Sequence, residues 1–600
     1  MQQRNLRPAA TRHNRGTHCL VDPMSRMRPI LVLVPALLAA ACATTTAPRG
    51  DVGGDGSQAA PAGATALEVE VPALSRPDGE TAAWWFRDGA AQAARRGAMA
   101  GKARNVILFV GDGMSLTTVA AARILEGQRR GGAGEDNRLG WEDFPATALS
   151  RTYNTDSQTP DSAGTMSAMA TGVKTRAGVI SIGQQAARGD CAGALAAPVL
   201  TLWELAASRG LATGVVTTTR LTHATPAATF SHSADRNWEN DTDLPEAARA
   251  AGCHDIARQL VEPSHGRGPD VLMGGGRGNF MPATQRDPED DGKVGQRLDG
   301  RDLIASWRQR HPGGAYVWNA AQLRAAASDQ PLLALFESDH MQYEHDRAGD
   351  IGGEPSLAEM TRAALARLQR NDRGYVLLVE GGRIDHAHHM GNAHRALTDT
   401  IALSDAVKAA SELTSADDTL VLVTADHSHT LAFVGYPVRG NPILGKVRGS
   451  SGEEGDANQY ARDALGLPYT TLTYSNGPGY VGASAQQPEG PKRFPHLASG
   501  YQPATSGRPD LTAVDTAHPD YLQEAIAPFS NESHGGDDVG IWARGPGSDA
   551  VRGSVEQNAI FHFMLQAMPV LREALCAAGG CDANVVPVEL PTPAALRPQP

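Results

Sequence analysis

Short apolar runs alternate along the chain with longer segments of helical periodicity. The apolar runs predict buried strands at Val106–Val110, Ala212–Thr217, Val271–Met273, Tyr375–Val379, Leu420–Thr424 and Val539–Trp542. The periodic segments predict helices at Leu200–Arg209, Leu244–Val261, Ser356–Gln369 and Ala393–Thr414. Strands that alternate with helices in this way are typical of an α/β fold. We therefore expect a central, mostly parallel sheet sandwiched between helices.

Side chains that bind metal ions flank four of these predicted strands. They are Asp112, then Glu380, Asp385 and His389, then Asp426 and His427, and finally His534. Open α/β sheets bind ligands beyond the carboxyl ends of their strands, so these side chains are expected to meet at one edge. Carboxylates and imidazoles without thiolates favour Zn²⁺ and Mg²⁺ over a cysteine-rich structural site.

The densest of these segments follows the predicted strand at 375–379. Asp385 and His389 are four residues apart, which places both on one helical face and suits two ligands of one Zn²⁺. The alternative is a solvated, histidine-rich turn. His388, His394 and His429 exceed the ligands that such a site needs, and we expect them to support the ligands or to lie at the surface.

Three further segments carry side chains suited to phosphate chemistry. Ser162 begins a run of small, helix-compatible residues. It is either a helix-capping serine, the commonest role at that position, or a nucleophile activated by a metal ion. Thr225, close to His223, offers a hydroxyl ligand to Mg²⁺, unless both residues only complete a turn. Arg236 is suited to clamp two phosphoryl oxygens, with a surface ion pair as the alternative.

Composition narrows the class of protein. At 600 residues the chain can bury a large core, and its 41% hydrophobic and 20% charged residues are typical of a soluble globular protein. The net charge of −12 argues against binding of nucleic acid.

The N-terminal residues have the pattern of an export signal. Basic residues at 26 and 28 precede the apolar run Ile30–Ala41, which is too short for a membrane span. Cys42 directly follows small residues, as at a bacterial lipoprotein cleavage site, so we expect residues 1–42 to be a targeting segment with lipidation at Cys42. An ordinary secretory signal is the alternative. The protein is thus expected to be periplasmic or secreted, with a lipid anchor as its membrane contact.

Changes in composition and periodicity along the rest of the chain predict where its segments begin and end. Residues 43–65 read as a flexible tether, and 66–582 as one large domain. The segment at about 436–530 has little periodicity and is predicted to be an insertion with its own small structure. The Pro-rich end, 583–600, is predicted to be disordered.

Four cysteines lie beyond the targeting segment. Their even number in an exported chain favours disulfides, and local spacing suggests Cys576–Cys581, which leaves Cys191 with Cys253. Free buried thiols are the alternative.

Several long motifs together resemble those of the alkaline phosphatase family. They are Gly111–Gly113, Asp161–Ala163, Thr217–Trp238, Val379–His389, Thr424–His429 and Glu532–Pro546. The resemblance covers about residues 105–546. It is closer to the animal-type branch than to the best-known enterobacterial one, since His223 and His386 stand where the latter carries Asp and Lys.

The resemblance implies a site with two Zn²⁺ and one Mg²⁺. One Zn²⁺ would be held by Asp385, His389 and His534, and the other by Asp112, Asp426 and His427 with Ser162. Mg²⁺ would be held by Asp112, Thr225 and Glu380, with His223 nearby. A calcium-type site would use Glu289, the Phe336 carbonyl, Glu337 and Glu354.

The activity that the resemblance implies is hydrolysis of phosphate monoesters at alkaline pH. A phosphoserine would form on Ser162 while Arg236 orients the phosphoryl oxygens, and a homodimer would form through a crown-like insertion at 436–530. Two alternatives remain open. One is a phosphodiesterase of the same superfamily, against which Arg236, Thr225 and Glu380 argue. The other is a non-catalytic periplasmic lipoprotein that binds metal or phosphate.

Overall fold

The computed structural model describes residues 67–77, 79–449 and 459–596. The predicted targeting segment, Cys42 and the whole tether predicted at 43–65 lie outside these residues. Among the described helices, none is both long and apolar enough to cross a bilayer.

The strands run through most of the described chain. In chain order they are β1 (Asn105–Gly111), β2 (Ala146–Arg151), β3 (Ala212–Arg220), β4 (Val271–Gly275), β5 (Ala315–Val317), β6 (Leu332–Leu335), β7 (Tyr375–Gly381), β8 (Thr419–Ala425), β9 (Ser428–His429), β10 (Leu431–Phe433), β11 (Leu472–Gly477), β12 (Ala525–Pro528), β13 (His534–Gly535), β14 (Val539–Arg544) and β15 (Gly553–Glu556).

Helices separate many of these strands. In chain order they are α1 (Ala82–Arg95), α2 (Leu116–Arg129), α3 (Ser162–Thr171), α4 (Cys191–Ala196), α5 (Leu202–Ser208), α6 (Ala224–Ala227), α7 (Glu246–Ala250), α8 (Ile256–Val261), α9 (Leu303–Arg310), α10 (Ala320–Ala325), α11 (Leu357–Leu368), α12 (Arg383–His389), α13 (Ala393–Leu413), α14 (Ala559–Ala567) and α15 (Pro569–Ala577).

A ten-stranded sheet forms the centre of the fold, in the order β15-β2-β14-β8-β1-β7-β3-β4-β6-β5. From β8 to β5 all neighbouring strands are parallel, whereas β14 runs antiparallel to both β8 and β2. The α/β fold and the mostly parallel sheet are confirmed.

Two apolar layers cover the faces of this sheet. Along β1, Val106, Leu108 and Val110 join the layer that contains α14, whereas Ile107 and Phe109 join the layer that contains α11 and α13. Strands buried on both faces read as continuous apolar runs, which is why the sequence pattern was clear here.

The register of the central strands sets the position of the site. Gly111 of β1 pairs with Gly381 of β7 and with Ala425 of β8, so the residues that follow these strands emerge at one edge. Because β14 is antiparallel to β8, its amino end lies at this same edge. A histidine that precedes β14 can therefore meet aspartates that follow β1 and β8.

The helix predicted at 244–261 is wrong as one element. The structure divides it into α7 and α8. Gly252 between them has a φ of 94°, a left-handed conformation that ends a helix at little cost. Cys253 is joined to Cys191 by a disulfide, and Cys576 is joined to Cys581, as predicted.

The structure describes much of two segments that composition set apart from the main domain. The segment at 436–530 is largely irregular but contributes β11 and β12 to a separate three-stranded sheet with β10. The predicted disorder of 583–600 is wrong for its first residues. Val586 and Val588 are buried against Ala90 and Ala94 of α1, so two valines in a Pro-rich segment suffice to dock it.

Candidate metal centre

Ser162 is the first residue of α3, close to the ends of β1 and β8. Asp161 caps this helix by accepting a hydrogen bond from the Gly164 N–H (3.1 Å), so capping does not occupy the serine hydroxyl. The Ser162 Oγ lies 3.1 Å from His427 Nε2 and 3.5 Å from Asp112 Oδ1. The serine therefore faces the predicted metal ligands rather than capping its helix.

The first ligand group consists of Asp112, Asp426 and His427, whose side chains are fully buried. His427 Nε2 lies 3.5 Å from Asp112 Oδ1 and 3.3 Å from Asp426 Oδ2. The Gly113 N–H donates to Asp426 Oδ1 (3.0 Å) and fixes that carboxylate. These spacings leave the three ligand atoms around one point, next to the serine hydroxyl.

The second ligand group surrounds Asp385, at the first turn of α12. Its Oδ1 lies 3.3 Å from His389 Nε2 and 3.4 Å from His534 Nε2. The two imidazoles also face each other, with 3.1 Å between their Nε2 atoms. Burial opposes ionisation of Asp385, but His389 and His429 outweigh it and hold its pKa well below the usual range.

The third ligand group contains Asp112 again, with His223 and Glu380. Asp112 Oδ2, Glu380 Oε1, His223 Nδ1 and the nearby Thr225 Oγ1 are buried without a hydrogen-bond partner in the described parts of the chain. Such orphaned groups are costly unless something binds them. Burial and the neighbouring carboxylates of Asp426, Asp385 and Glu380 raise the pKa of Asp112 well above its usual value. A bound cation would satisfy the three oxygen atoms and relieve this repulsion, so the residues fit a metal site. His223 accepts from Arg236 through Nε2, so the Nδ1 of its neutral ring carries the hydrogen and is not itself a ligand.

Arg236 lies beside the start of α3. Its Nη1 donates to Asp161 Oδ2 (3.1 Å) and its Nη2 donates to His223 Nε2 (3.1 Å). Its side chain remains 18% exposed, so the guanidinium can be reached by a ligand that also reaches Ser162.

His429 lies inside the site, in contact with the predicted ligand Asp385, whereas the sequence indicated a supporting or a surface position. Its Nε2 donates to Asp385 Oδ1 (2.7 Å) and its Nδ1 to Glu532 Oε2, which sequence reasoning had not singled out. Burial lowers the pKa of His429, but Glu532 and Asp385 together raise it to about 10. The available signal was its position two residues after the predicted ligand His427.

His388 and His394 belong to none of the three ligand groups. His388 is buried between Thr118 and Tyr474, with its ring nitrogens 3.0 Å and 2.7 Å from their hydroxyls. His394 packs edge-on against His345, with 4.7 Å between ring centroids.

A peripheral acidic group lies beyond β6, away from the serine. It consists of Glu289, Glu337 and Asp350, and Phe336 directly precedes Glu337. Glu354, predicted as a ligand there, is not in this group. Its carboxylate accepts hydrogen bonds from the Gln342 N–H at 3.0 and 3.2 Å, while its own N–H donates to Asp350 Oδ2 (3.0 Å). Glu354 nevertheless lies close to these three carboxylates, and burial together with their charges raises its pKa to about 8.

Comparison with known proteins gives consistent matches. A model of the alkaline phosphatase family matches residues 103–570. The chain is 42% identical over 475 residues to the tissue-nonspecific alkaline phosphatase isozyme of Gallus gallus, covering 78% of this chain and 84% of the relative. It is 40% identical over 505 residues to the isozyme of Rattus norvegicus, covering 83% and 90%.

Solved structures share the fold. Alkaline phosphatase of Thermus thermophilus superposes with a TM-score of 0.54 at 24% identity, over 83% of this chain and 96% of that one. The alkaline phosphatase of the Antarctic bacterium TAB5 gives a TM-score of 0.51 at 19% identity, over 78% and 98%.

Proposed function

Because the chain belongs to the alkaline phosphatase family, we propose that it hydrolyses phosphate monoesters at this centre through a phosphoserine on Ser162. Membership of the family makes it a metal-dependent phosphatase. The observation that carries the assignment to Ser162 is the position of its hydroxyl, 3.1 Å from His427 Nε2 and 3.5 Å from Asp112 Oδ1, at a helix start.

We assign the three ligand groups to two Zn²⁺ and one Mg²⁺. Asp385, His389 and His534 would hold one Zn²⁺; Asp112, Asp426 and His427 would hold the second; and Asp112, Thr225 and Glu380 would hold Mg²⁺. Imidazole-rich groups suit Zn²⁺, and all-oxygen groups suit Mg²⁺. When bound, such ions supply stabilisation of the attacking and leaving oxygens and lower the pKa of water.

The side chains of the chain have separate tasks in this proposal. Ser162 Oγ attacks the phosphorus, the alcohol leaves, and water then hydrolyses the phosphoserine to give inorganic phosphate. Arg236 holds two non-bridging oxygens of the phosphoryl group, which fixes its orientation and offsets its charge. Asp161 keeps Arg236 near the start of α3, with 3.1 Å between Nη1 and Oδ2. The N–H groups of that helix start favour an anion there.

The serine assignment is tested with Ser162→Ala. We expect turnover of an aryl phosphate to fall on the order of 10³-fold or more, and phosphoserine to be missing from acid-quenched protein. Metal content should stay near that of the wild type. Ser208→Ala is the matched control, because that hydroxyl donates to the Leu205 carbonyl (2.7 Å) on α5. Wild-type turnover in the Ser162 variant would overturn the assignment.

The reaction class is tested by comparing an aryl monoester with the matched diester at alkaline pH. We expect monoester turnover that disappears with a chelator and returns when Zn²⁺ and Mg²⁺ are added. Preference for the diester would move the chain to the phosphodiesterase alternative. Absence of both activities in metal-replete protein would favour the binding-protein alternative.

The peripheral acidic group is proposed to bind Ca²⁺ through Glu289, Glu337 and Asp350. Carboxylate and carbonyl oxygens are the ligands that Ca²⁺ prefers. The Phe336 carbonyl is proposed as a further ligand.

Export, lipidation and dimerisation complete the proposal. Cys42→Ser is expected to shift the protein from the membrane fraction to the soluble periplasmic fraction, and unchanged membrane association would contradict lipidation.

A homodimer through the segment at 436–530 is expected. A purely monomeric protein in equilibrium ultracentrifugation would contradict the dimer.

A further inference from the structure

Three imidazoles pack together beside the third ligand group. The ring of His340 lies edge-on to His386, with 4.2 Å between centroids, and edge-on to His223, with 5.4 Å. His223 and His386 are also edge-on to each other at 5.4 Å. His340 comes from the loop after β6, so a different part of the chain closes this group.

Main-chain hydrogen bonds fix the loop that carries His340. The Gly276 N–H donates to the Asp339 carbonyl (2.7 Å), and the Met341 N–H donates to the Thr218 carbonyl (3.2 Å). The Arg220 N–H donates to His340 Nδ1 (3.1 Å), so the backbone at the end of β3 holds the ring itself. Since Nδ1 accepts, the neutral ring carries its hydrogen on Nε2.

The other two rings are held by arginine side chains instead. Arg383 Nη1 donates to His386 Nδ1 (2.8 Å), and Arg236 Nη2 donates to His223 Nε2 (3.1 Å). The second nitrogen of His223, Nδ1, is without a hydrogen-bond partner within the described residues. The orientation of the His223 ring therefore depends on Arg236 and on the rings packed against it.

We propose that His340 is a positioning residue for the grip on phosphate: its ring holds His223 in place, and His223 in turn holds Arg236. This inference rests on the proposed function of Arg236. If the His340 ring is removed, His223 gains room to rotate, and Arg236 keeps Asp161 as its partner but loses the acceptor on its other nitrogen. A guanidinium with two fixed partners is better oriented for two phosphoryl oxygens than one with a single partner.

The test measures binding of inorganic phosphate by calorimetry to metal-loaded protein in a Ser162→Ala background, so that turnover does not enter. We expect His340→Ala to weaken binding about three- to tenfold, which lies within the range of couplings between contacting residues. His340→Asn should weaken it equally, because Asn can still accept from the Arg220 N–H but has no ring. Two variants keep the test usable if one of them does not fold.

A double-mutant cycle with Arg236→Ala separates positioning from general damage. If His340 acts through Arg236, adding His340→Ala to Arg236→Ala should change phosphate binding less than about twofold. His345→Ala is the matched control, because that imidazole also packs edge-on against another histidine, His394, but does not touch this group. It should bind phosphate as its parent does.

Three results would overturn the inference. They are unchanged phosphate binding in both His340 variants, an undiminished loss in the Arg236→Ala background, or an equal loss in His345→Ala. Failure of the proposed function is distinguishable, because it would appear as absent phosphate binding or absent monoester turnover with His340 intact.

Discussion

The metal centre and the peripheral acidic group occupy equivalent places in the fold but differ in how their charges are compensated. Both lie beyond the carboxyl ends of parallel strands, the first after β1, β7 and β8 and the second after β6. In the metal centre, Asp112 Oδ2 and Glu380 Oε1 are buried without a hydrogen-bond partner among the residues described.

The peripheral acidic group has its own cations. Arg277 is fully buried and donates to both oxygens of Asp287 (2.8 and 2.7 Å) and to Glu289 Oε2 (2.6 Å). Lys293 Nζ lies 3.9 Å from Glu337. Burial raises the pKa of Glu289 to about 7 even though its bond to Arg277 opposes this. The metal centre is thus distinguished by buried carboxylate oxygens that lack a partner among the described residues, rather than by its number of acids.

The largest expected effect belongs to Asp112→Asn. This residue joins two ligand groups, so its loss should lower kcat/KM on the order of 10⁴-fold and reduce bound metal. Activity assays with metal analysis would show this. Asp350→Asn is the same change in the peripheral acidic group. It should leave kcat/KM within about threefold of the wild-type value, because Asp350 lies away from Ser162. Equal losses of kcat/KM in the two variants would contradict the different roles assigned to the two groups.

The next largest effect is expected for Arg277→Met, and it concerns the free energy of unfolding. Removing one partner from a buried ion pair costs about 3–5 kcal/mol, and the free energy of unfolding in urea should fall by that amount. Added Ca²⁺ should restore part of it by replacing the lost positive charge. Arg286→Met, at an exposed position in the same loop, is the control. Stability equal to wild type would show that Arg277 does not compensate this group.

Calcium should raise the thermal unfolding temperature of the wild type. It should not raise that of Asp350→Asn. At a hundredfold excess over Kd, binding stabilises by about 2.7 kcal/mol. Glu354→Gln should keep the calcium effect, because Glu354 is bound to the Gln342 main chain instead. The reverse result would restore Glu354 as the ligand and remove Asp350.

The smallest effect is expected for Lys293→Ala. Its side chain is 48% exposed, and exposed ion pairs contribute below about 1 kcal/mol. Calcium should bind roughly two- to threefold more tightly in calorimetry once this cation is gone, most clearly at low ionic strength. A weaker affinity would mean that Lys293 supports the site rather than competing with the ion.

Most of the fold could be predicted, because buried parallel strands leave long apolar runs. Local sequence was enough to recognise the apolar runs at β1, β7 and β8 and the acids that follow them. The direction of β14 could not be read in this way, although it is what brings His534 to the site. Periodicity also missed the break between α7 and α8, where one glycine and one disulfide override a helical pattern.

The arrangement of several site residues depends on the paths of loops, which the sequence does not reveal. Asp350 and Glu354 are four residues apart in one irregular segment, and the Gln342 N–H donates to the carboxylate of Glu354. His429 and Glu532 come from distant parts of the chain, so their pairing was invisible in either segment alone. His340 has no motif at all, and its role depends on packing.

The antiparallel β14 has a consequence for how the protein acquires its activity. Asp112 lies near the start of the domain and His534 near its end, so the proposed ligand set is complete only when almost the whole chain has been synthesised. Contacts between such distant residues form slowly and late in folding. Metal uptake should therefore be a final step that locks the two ends of the domain together, and fragments that stop before β13 should fold in part yet remain unable to retain the full set of ions.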